Sequence, residues 1–319
     1  MLQQTRVSTV IPFWERWMKE LPTVESLASA PSELLLKLWE GLGYYRRAKN
    51  LQEAAQLVLQ KHQGKFPSCA AALQELPGIG PYTAGALQTI CFNKPAPVVD
   101  GNIARVLARI FGIEEAGASR TFANLSYTLS RTVAEDLRLD CGTLTQSLME
   151  LGALICTPKS PRCSVCPCSS KCQAYATGRV EELPKTVKRA AITKLSRAAF
   201  IVKNRSRYLI QQRPNGEVNE GFWEFPNVAL AHGGDSAVRQ AAREFVHGEL
   251  TQPKAIARNI HHITRYRITT HFLLLNGKVK TSGQWKTLPE IRKLPFSTSH
   301  RKILGALEKM SAEPKRKIH

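Results

Sequence analysis

The stretch LPGIGPYTAGALQTICFNKPAPVVDGN, residues 76–102, constrains the fold of this chain more than any other part of it. Its Pro-Gly-Ile-Gly segment cannot continue a helix, and Pro81 suits the first position of a new one. The sequence therefore predicts a helix, a tight hairpin and a second helix from about Tyr82 to Phe92. Gly78 and Gly80 would let the main chain approach a ligand closely. Unpaired amides at the start of the second helix favour an anion such as a phosphate, although an ordinary helix-helix turn explains the same glycines.

Asp100 closes this stretch and precedes an apolar pattern of helical period that ends at Gly112. Asp100 therefore stands at the expected N-cap, where its carboxylate can accept backbone hydrogen bonds. The helix dipole keeps such a carboxylate ionised, and an ionised carboxylate can stabilise a nearby cation. An N-cap role alone explains Asp100, and that role does not exclude a catalytic one.

Composition indicates a basic protein that binds an anionic polymer. The 319 residues suggest two domains, and the net charge of +20 with a pI near 9.9 does not distinguish DNA from RNA or an acidic membrane. No apolar run reaches the roughly 18 residues of a membrane span, and no signal peptide precedes the first helices. Five of the eight cysteines lie between Cys156 and Cys172, which is not a secreted disulfide pattern. We expect a cytoplasmic monomer away from the membrane, associated with the nucleoid if the source is bacterial.

The chain divides into a helical part, a charged linker and a part with strand periodicity. We place the helical region at residues 1–175, the linker at 176–195 and an α+β domain at 196–312. Period-two segments predict four strands, at 198–202, 208–212, 256–262 and 268–275, the last followed by the turn pair Asn276-Gly277. One helix, at about 235–250, is expected between the strands, and another is expected to end the chain.

Two further segments carry residue types that suit a ligand. The segment Gly41-Leu-Gly-Tyr-Tyr-Arg-Arg47 places tyrosines between glycines and arginines, which suits stacking on bases and binding of phosphates. A core aromatic after a turn explains it as well. The second segment holds Cys156, Cys163, Cys166 and Cys172, separated by six, two and five residues.

Four thiolates in one loop can surround a single metal centre. Zinc sites usually contain two C-x2-C pairs, and this loop has one; iron-sulfur clusters tolerate uneven spacing. A cluster, a zinc ion and unbound thiols all remain open at this point. Cys168 fits neither the zinc pattern nor the cluster pattern and is interpreted as a cysteine that binds no metal. Cys69, Cys91 and Cys141 are interpreted as buried thiols.

Taken together, these motifs resemble the adenine DNA glycosylases of the helix-hairpin-helix superfamily. The matching segments are MLQQTRV, GLGYYRRAKNL, LPGIGPYTAGA, PVVDGN and ELGALICTPKSPRCSVCPCSSKC, with a weaker match through FWEFPN to the C-terminal end. The resemblance implies an all-α glycosylase region with a helix-hairpin-helix at about 70–92 and a loop for a 4Fe-4S cluster at 156–172. A Nudix-like α+β domain that recognises 8-oxoguanine would follow. The implied activity is base-excision repair, by hydrolysis of the N-glycosidic bond of adenine mispaired with 8-oxoguanine or guanine in double-stranded DNA.

The resemblance also assigns roles residue by residue. Asp100 matches the carboxylate that stabilises an oxocarbenium-like sugar or bonds to it covalently, and Tyr82 and Asn102 match residues that organise that site. The remaining matches concern DNA and the cluster. They are Gly78 and Gly80 at a phosphate, Gln4 and Tyr44 as wedges in the base stack, Thr5 near the 8-oxoguanine strand, Gln146 at the flipped adenine, and Cys156, Cys163, Cys166 and Cys172 as cluster ligands.

The nearest alternative is a glycosylase of the endonuclease III type, which shares the hairpin, the acid and the cluster. That class has a lysine where this chain has Tyr82, and its amine forms a Schiff base that leads to strand cleavage. Tyrosine cannot form this adduct, so we predict hydrolysis without β-lyase chemistry.

The first motif departs from the family pattern. The family's general acid is a glutamate two residues before the methionine of MLQQT, which is Met1 here. General acid help is typically worth ~10²–10⁴ in rate, so these 319 residues are expected to bind DNA and to excise adenine very slowly. A start assigned too far downstream is one explanation. A non-catalytic protein that binds mismatched DNA is the alternative.

The C-terminal domain departs from the family pattern as well. The family's Phe-Ser-His lesion loop corresponds to Ile263-Thr264-Arg265, in which Thr264 keeps a hydroxyl for lesion recognition and the histidine is lost unless His261 or His262 serves. Ser299-His300 is a second candidate for this loop. We therefore expect weaker discrimination between 8-oxoguanine and guanine. Residues 243–249, REFVHGE, lack the paired glutamates of a magnesium-binding Nudix box, which argues against phosphate-ester hydrolysis.

Overall fold

The computed structural model describes residues 1–117, 119–135, 139–185, 191–247, 253–263, 265–275, 278–279 and 281–312. The contacts group the chain into two compact units. The first combines Met1–Gln52 with Ala190–His319, and the second is Glu53–Arg189. The division at 175 and 196 stays a prediction. No helix among the described residues has the length and apolar character needed to cross a membrane.

The predicted helical region is confirmed. Its helices are α1 (Val7–Glu20), α2 (Val24–Ala28), α3 (Ser32–Trp39), α4 (Arg46–His62), α5 (Ala70–Gln74), α6 (Pro81–Phe92), α7 (Gly101–Phe111), α8 (Arg120–Glu135), α9 (Cys141–Glu150) and α10 (Gln173–Ala176). Helix α4 begins at Arg46, where the amides of Arg47 and Ala48 bond to the carbonyls of Tyr44 and Tyr45.

The hairpin between α5 and α6 forms where the glycines and proline predict it. The amide of Ile79 donates to the carbonyl of Leu76 at 3.1 Å, and Gly78 between them has φ of +80°, a region that favours glycine. Gly80 is the extended N-cap of α6, and Pro81 is its first residue. Helix α6 therefore starts with its amide end facing out of the turn.

A main-chain contact holds the extended segment that leads to Asp100. A Cβ atom built on Gly85 of α6 would lie 2.2 Å from the carbonyl oxygen of Pro97. On its other side, the Ser126 hydroxyl of α8 accepts from the amide of Val98 at 3.1 Å and donates to its carbonyl at 2.9 Å. The main chain before α7 is thus fixed between α6 and α8.

The C-terminal domain is a mixed sheet with helices on its two faces, as predicted. Its strands are β1 (Thr193–Asn204), β2 (Arg207–Gln212), β3 (Trp223–Glu224), β4 (Asn227–Leu230), β5 (Val246–His247), β6 (Lys254–Ile263), β7 (Tyr266–Leu275), β8 (Lys278–Val279) and β9 (Gln284–Thr287). Its helices are α11 (Asp235–Phe245), α12 (Leu288–Lys293) and α13 (Thr298–Ala312). The main order is β3-β2-β1-β7-β6, with β4 beside β1, β9 beside β2 and a separate β5-β8 pair.

Strand β1 runs parallel to β7, and the other pairs are antiparallel. Alternate β1 residues enter two cores: Ala198 and Phe200 pack with α11, and Ala199 and Ile201 pack with α13. Strand β1 begins at Thr193, inside the segment predicted as linker, because Thr193 already pairs with β7. The five short strands of two or four residues escaped prediction, since so few residues show no alternation. The predicted turn Asn276-Gly277 lies outside the described residues.

His300 is buried in α13, with 3% of its surface exposed. Its Nδ1 accepts a hydrogen bond of 3.1 Å from the amide of Phe225. Burial, reinforced by the nearby positive charges of Arg213, Arg197 and His261, lowers the pKa of His300 to about 3. A buried neutral imidazole cannot present its edge to a DNA lesion, so the geometry does not support Ser299-His300 as the reading loop.

This buried imidazole predicts acid sensitivity of the fold. Because the folded-state pKa of His300 lies below its ordinary value of 6.5, only the unfolded state takes up a proton as pH falls through 6.5. Between pH 7 and pH 5 we expect the unfolding free energy to fall by about 2 kcal/mol more in the wild type than in His300→Asn. Urea unfolding at both pH values measures this difference. His232 is exposed, and His232→Asn should lose as much unfolding free energy between the two pH values as the wild type. An equal loss in all three proteins would contradict the prediction.

Candidate active site

Asp100 is the N-cap of α7, as its sequence position predicts. Its Oδ1 accepts from the amides of Asn102 at 2.9 Å and Ile103 at 2.7 Å. Its Oδ2 accepts from Asn102 Nδ2 at 3.2 Å. These three hydrogen bonds fix the orientation of the carboxylate. The half-buried group is therefore a negative charge held in place before any ligand arrives.

Arg105 orients Asn102, and sequence reasoning missed it. Its Nη2 donates to Asn102 Oδ1 at 2.8 Å and to the Gly152 carbonyl at 2.7 Å, and its Nε donates to the Cys156 carbonyl at 2.7 Å. Gly152 allows this contact, since a Cβ there would lie 2.7 Å from Asn102 Cβ. The π-helical turn Leu151–Ile155 carries the Gly152 carbonyl, and Cys156 follows this turn directly. The spacing of three residues between Asn102 and Arg105 on one helix signals that one contact, and no spacing signals the contacts with the two carbonyls.

Tyr82 lies in the first turn of α6 and is 38% exposed. Burial, followed by the negative charge of Asp100, raises the pKa of its hydroxyl. Tyr82 therefore remains protonated at neutral pH and can donate a hydrogen bond. Asp100 therefore contacts Asn102 and lies within electrostatic reach of Tyr82.

The other residues of this unit that we predict to contact DNA include Gly80 at the start of α6 and Gln146 on α9. A Cβ on Gly80 would meet no atom within 4 Å, so the space in front of this amide end is open. Gln146 is exposed on α9, its Nε2 donates to the Gly142 carbonyl at 3.2 Å, and α9 packs against both α6 and α7.

Gln4, Thr5 and Tyr44 belong to the first unit and lie in two turns. Gln4 and Tyr44 both have positive φ, +59° and +48°, and both side chains are exposed. Tyr45, by contrast, is buried and stacks on Phe222 with ring centroids 4.1 Å apart. Tyr45 is therefore a core aromatic, whereas Tyr44 faces outward and its contact with bases stays a prediction.

The four predicted ligand cysteines line one cavity of about 380 Å³, part of it open to solvent. Cys168 also lines it. Arg109, which is 2% exposed, donates from Nη1 to Cys156 Sγ at 3.3 Å, and its carbonyl accepts from Cys172 Sγ at 3.3 Å. Burial, followed by the charges of Cys156, Cys172 and Cys166, raises the pKa of Cys163.

These thiols surround a space and do not converge on one point. Within the described residues, no three His, Cys, Asp or Glu side chains are arranged to hold a metal ion. A sulfur-lined cavity with a buried guanidinium beside it fits a polynuclear cluster better than a single zinc ion, because thiolates around a cluster bind different metal atoms.

The predictions for the three remaining cysteines and for two segments of the C-terminal domain have different outcomes. Cys141 is buried as predicted, but Cys69 and Cys91 are exposed, so their interpretation as buried thiols was wrong. Cys69 instead caps α5, where its Sγ accepts from the Ala72 amide at 3.5 Å. Thr264 lies outside the described residues, as do the last two residues of segment 243–249.

Comparison with known proteins assigns both parts of the chain. Residues 1–129 match the HhH-GPD superfamily of base excision DNA repair proteins, and residues 197–306 match the NUDIX domain. The chain is 32% identical to the adenine DNA glycosylase of Rattus norvegicus over 97% of its own length and 70% of the relative's. For the adenine DNA glycosylase of Arabidopsis thaliana the identity is 38% over 76% and 43% of the two chains. For that of Homo sapiens it is 31% over 95% and 66%.

The chain thus spans between 43% and 70% of the length of these relatives. The matched segments include the hairpin, Asp100 and the sheet domain described above, each in its predicted place. This chain belongs to the adenine DNA glycosylase family.

Proposed function

We propose that this chain is a monofunctional glycosylase that hydrolyses the N-glycosidic bond of adenine mispaired with 8-oxoguanine or guanine in duplex DNA. The observation that carries the proposal is the carboxylate of Asp100, which cap hydrogen bonds hold at the start of α7, within electrostatic reach of the protonated Tyr82 in the first turn of α6. Family membership supports the substrate class, and the net charge of +20 supports binding to a polyanion.

In this mechanism the hairpin amides at Gly78 and Gly80 bind a DNA phosphate, and adenine is extruded into the site. The C1′–N9 bond breaks, its electron pair leaves with adenine, and the sugar becomes cationic. The Asp100 carboxylate stabilises that cation because it is already charged and oriented. Water then bonds to C1′, and the proton that it loses neutralises the adenine anion, which leaves free adenine and an abasic sugar. Asn102 and Arg105 keep the carboxylate in place, Tyr82 supplies a hydroxyl donor, and Gln146 contacts the extruded base.

Single-turnover assays with an excess of protein test the proposal. Duplexes carry adenine opposite 8-oxoguanine, guanine or thymine, and each reaction is run with and without borohydride. We expect alkali-dependent breaks that form slowly at the first two mispairs, no break at the A:T pair and no trapped adduct. Binding without excision would identify a mismatch-binding protein, and strand cleavage with a trapped adduct would identify an enzyme of the endonuclease III type. The ratio of the two mispair rates measures the discrimination between 8-oxoguanine and guanine, which we expect to be weak.

We also propose that Cys156, Cys163, Cys166 and Cys172 hold a 4Fe-4S cluster. Such a cluster would anchor the loop at 156–172 against α7 and orient Lys159, Arg162 and Lys171 for DNA phosphates. Arg109 would balance part of the negative charge of the cluster thiolates. No step of the hydrolysis depends on the cluster.

Two cysteine substitutions test this assignment. Cys163→Ala is expected to lose most of the bound iron and the visible absorption of the cluster, because a ligand is removed. Cys168→Ala is the matched control, since Cys168 lines the same cavity and is predicted to be a bystander. Iron analysis, sulfide analysis and absorption spectra of the purified proteins measure the outcome. Equal iron contents in the two variants would contradict the assignment of Cys163, and tetrahedral zinc in the wild type would contradict the cluster.

A further inference from the structure

We infer that Arg47 is a positioning residue that joins two turns of the first unit and holds Gln4 and Tyr44 in their conformations. The inference rests on the proposed function only where it concerns DNA, since both side chains are proposed as wedges in the base stack. The contacts themselves belong to the protein alone.

The first turn lies at the beginning of the chain. The Thr5 amide donates to the Leu2 carbonyl at 3.2 Å, which places Gln4 at the corner with its φ of +59°. The Arg47 guanidinium donates to three oxygens here: the Met1 carbonyl at 2.8 Å, Thr5 Oγ1 at 3.2 Å and the Gln3 carbonyl.

The second turn joins α3 to α4. Gly43 and Tyr44 have φ of +73° and +48°. Arg47 Nη2 donates to the Gly43 carbonyl at 3.1 Å and to the Leu42 carbonyl at 3.4 Å. The guanidinium carbon lies 5.7 Å from the Tyr44 ring centroid and 5.3 Å from that of Trp39. One side chain therefore contacts both turns.

Gln4 and Tyr44 both stand at backbone positions that favour glycine. Left-handed φ is costly for glutamine and for tyrosine, and it persists only where surrounding contacts impose it. Five oxygens from both turns accept from one guanidinium, so its contacts are such a constraint. A guanidinium presents its donors in a rigid plane, whereas an ammonium is a compact charge with three donors. Lysine at this position would keep the charge and lose the simultaneous contacts.

This arrangement separates two arginines that the sequence treats alike. Arg46 is exposed, as a phosphate-binding side chain would be, whereas Arg47 is half-buried and directs its donors to backbone carbonyls. Arg47 thus acts through Gln4 and Tyr44: their side chains project outward from a backbone that Arg47 holds in place. Fixed turns would let both side chains enter a base stack without first being ordered.

Arg47→Lys, with Arg46→Lys as the matched control, tests the inference in the full chain. Hydrogen exchange should rise at least about tenfold in the amides of residues 2–5 and 42–45 of Arg47→Lys, and exchange in α8 should stay unchanged. Thr5→Val removes one acceptor and should loosen the first turn only. On a duplex with 2-aminopurine opposite 8-oxoguanine, the fluorescence increase on base extrusion should fall about tenfold in Arg47→Lys, with the dissociation constant changed less than about threefold. Arg46→Lys should leave hydrogen exchange in both turns as in the wild type.

The outcomes separate the two claims. Unchanged exchange in Arg47→Lys, or increased exchange with normal extrusion, would overturn the role of Arg47. Failure of the wild type to extrude the base would overturn the proposed function, and the exchange experiment would still decide whether Arg47 holds the turns. If Arg47→Lys does not fold, Thr5→Val decides the same question: unchanged exchange in its first turn would overturn the inference.

Discussion

Asp100→Asn is expected to slow adenine excision by about 10²–10³-fold or more, because the developing sugar cation loses a preorganised negative charge. Binding of the A:8-oxoguanine duplex should change little. Asparagine is as good an N-cap as aspartate, and its Oδ1 can still accept from the amides of Asn102 and Ile103. Only the bond from Asn102 Nδ2 is lost, so we expect the free energy of unfolding to fall by about 1 kcal/mol at most.

A second capping aspartate gives the matched control. Asp140 caps α9 in the same way, with its Oδ2 accepting from the Thr143 amide at 2.6 Å. Asp140→Asn should excise adenine at the wild-type rate. Single-turnover rates and gel-shift affinities of both variants measure the difference. If Asp100→Asn matched Asp140→Asn in rate, the residue would be a cap and nothing more.

Tyr82→Lys is expected to convert the protein into one that forms a covalent adduct with DNA. The new amine would lie in the first turn of α6. There the charge of Asp100 would act on it, as it acts on Tyr82. Partial burial and the helix N-terminus both favour the neutral amine, which can attack C1′ of the sugar aldehyde and form a Schiff base with loss of water. Borohydride trapping on a duplex with an abasic site should rise at least about tenfold over the wild type.

Tyr82→Phe separates this gain from simple loss of the hydroxyl. It lacks the amine as well as the hydroxyl, so it should give no adduct. Denaturing gels resolve the trapped protein-DNA species by size. Absence of an adduct in Tyr82→Lys, with the protein folded and the abasic duplex bound, would mean that position 82 does not face the sugar.

The parts of the site that local rules determine were predictable from sequence. The glycines and proline of the hairpin and the capping position of Asp100 require only short-range geometry, and the structure has them in place. Arg105 escaped because its partners, the carbonyls of Gly152 and Cys156, come from a distant turn. Sequence spacing carries no information about such a contact.

The tyrosine pair and the two exposed cysteines show a second limit. Tyr44 and Tyr45 are neighbours of the same type, yet one faces outward and the other is buried. The difference arises from a left-handed φ at Tyr44, which rotates successive side chains away from each other. Cys69 and Cys91 were assigned to the interior from residue type alone, and hydrophobicity does not fix the position of a single small side chain.

The contact between Gly85 and Pro97 joins peptide backbone to peptide backbone. The separation between the N-terminal end of α6, which we propose binds a phosphate, and the carboxylate at α7 is consequently set by close packing of main-chain atoms and not by the size of any side chain. Side chains around the site could therefore change while this separation stays constant. The absence of a Cβ atom at Gly85 therefore sets this distance.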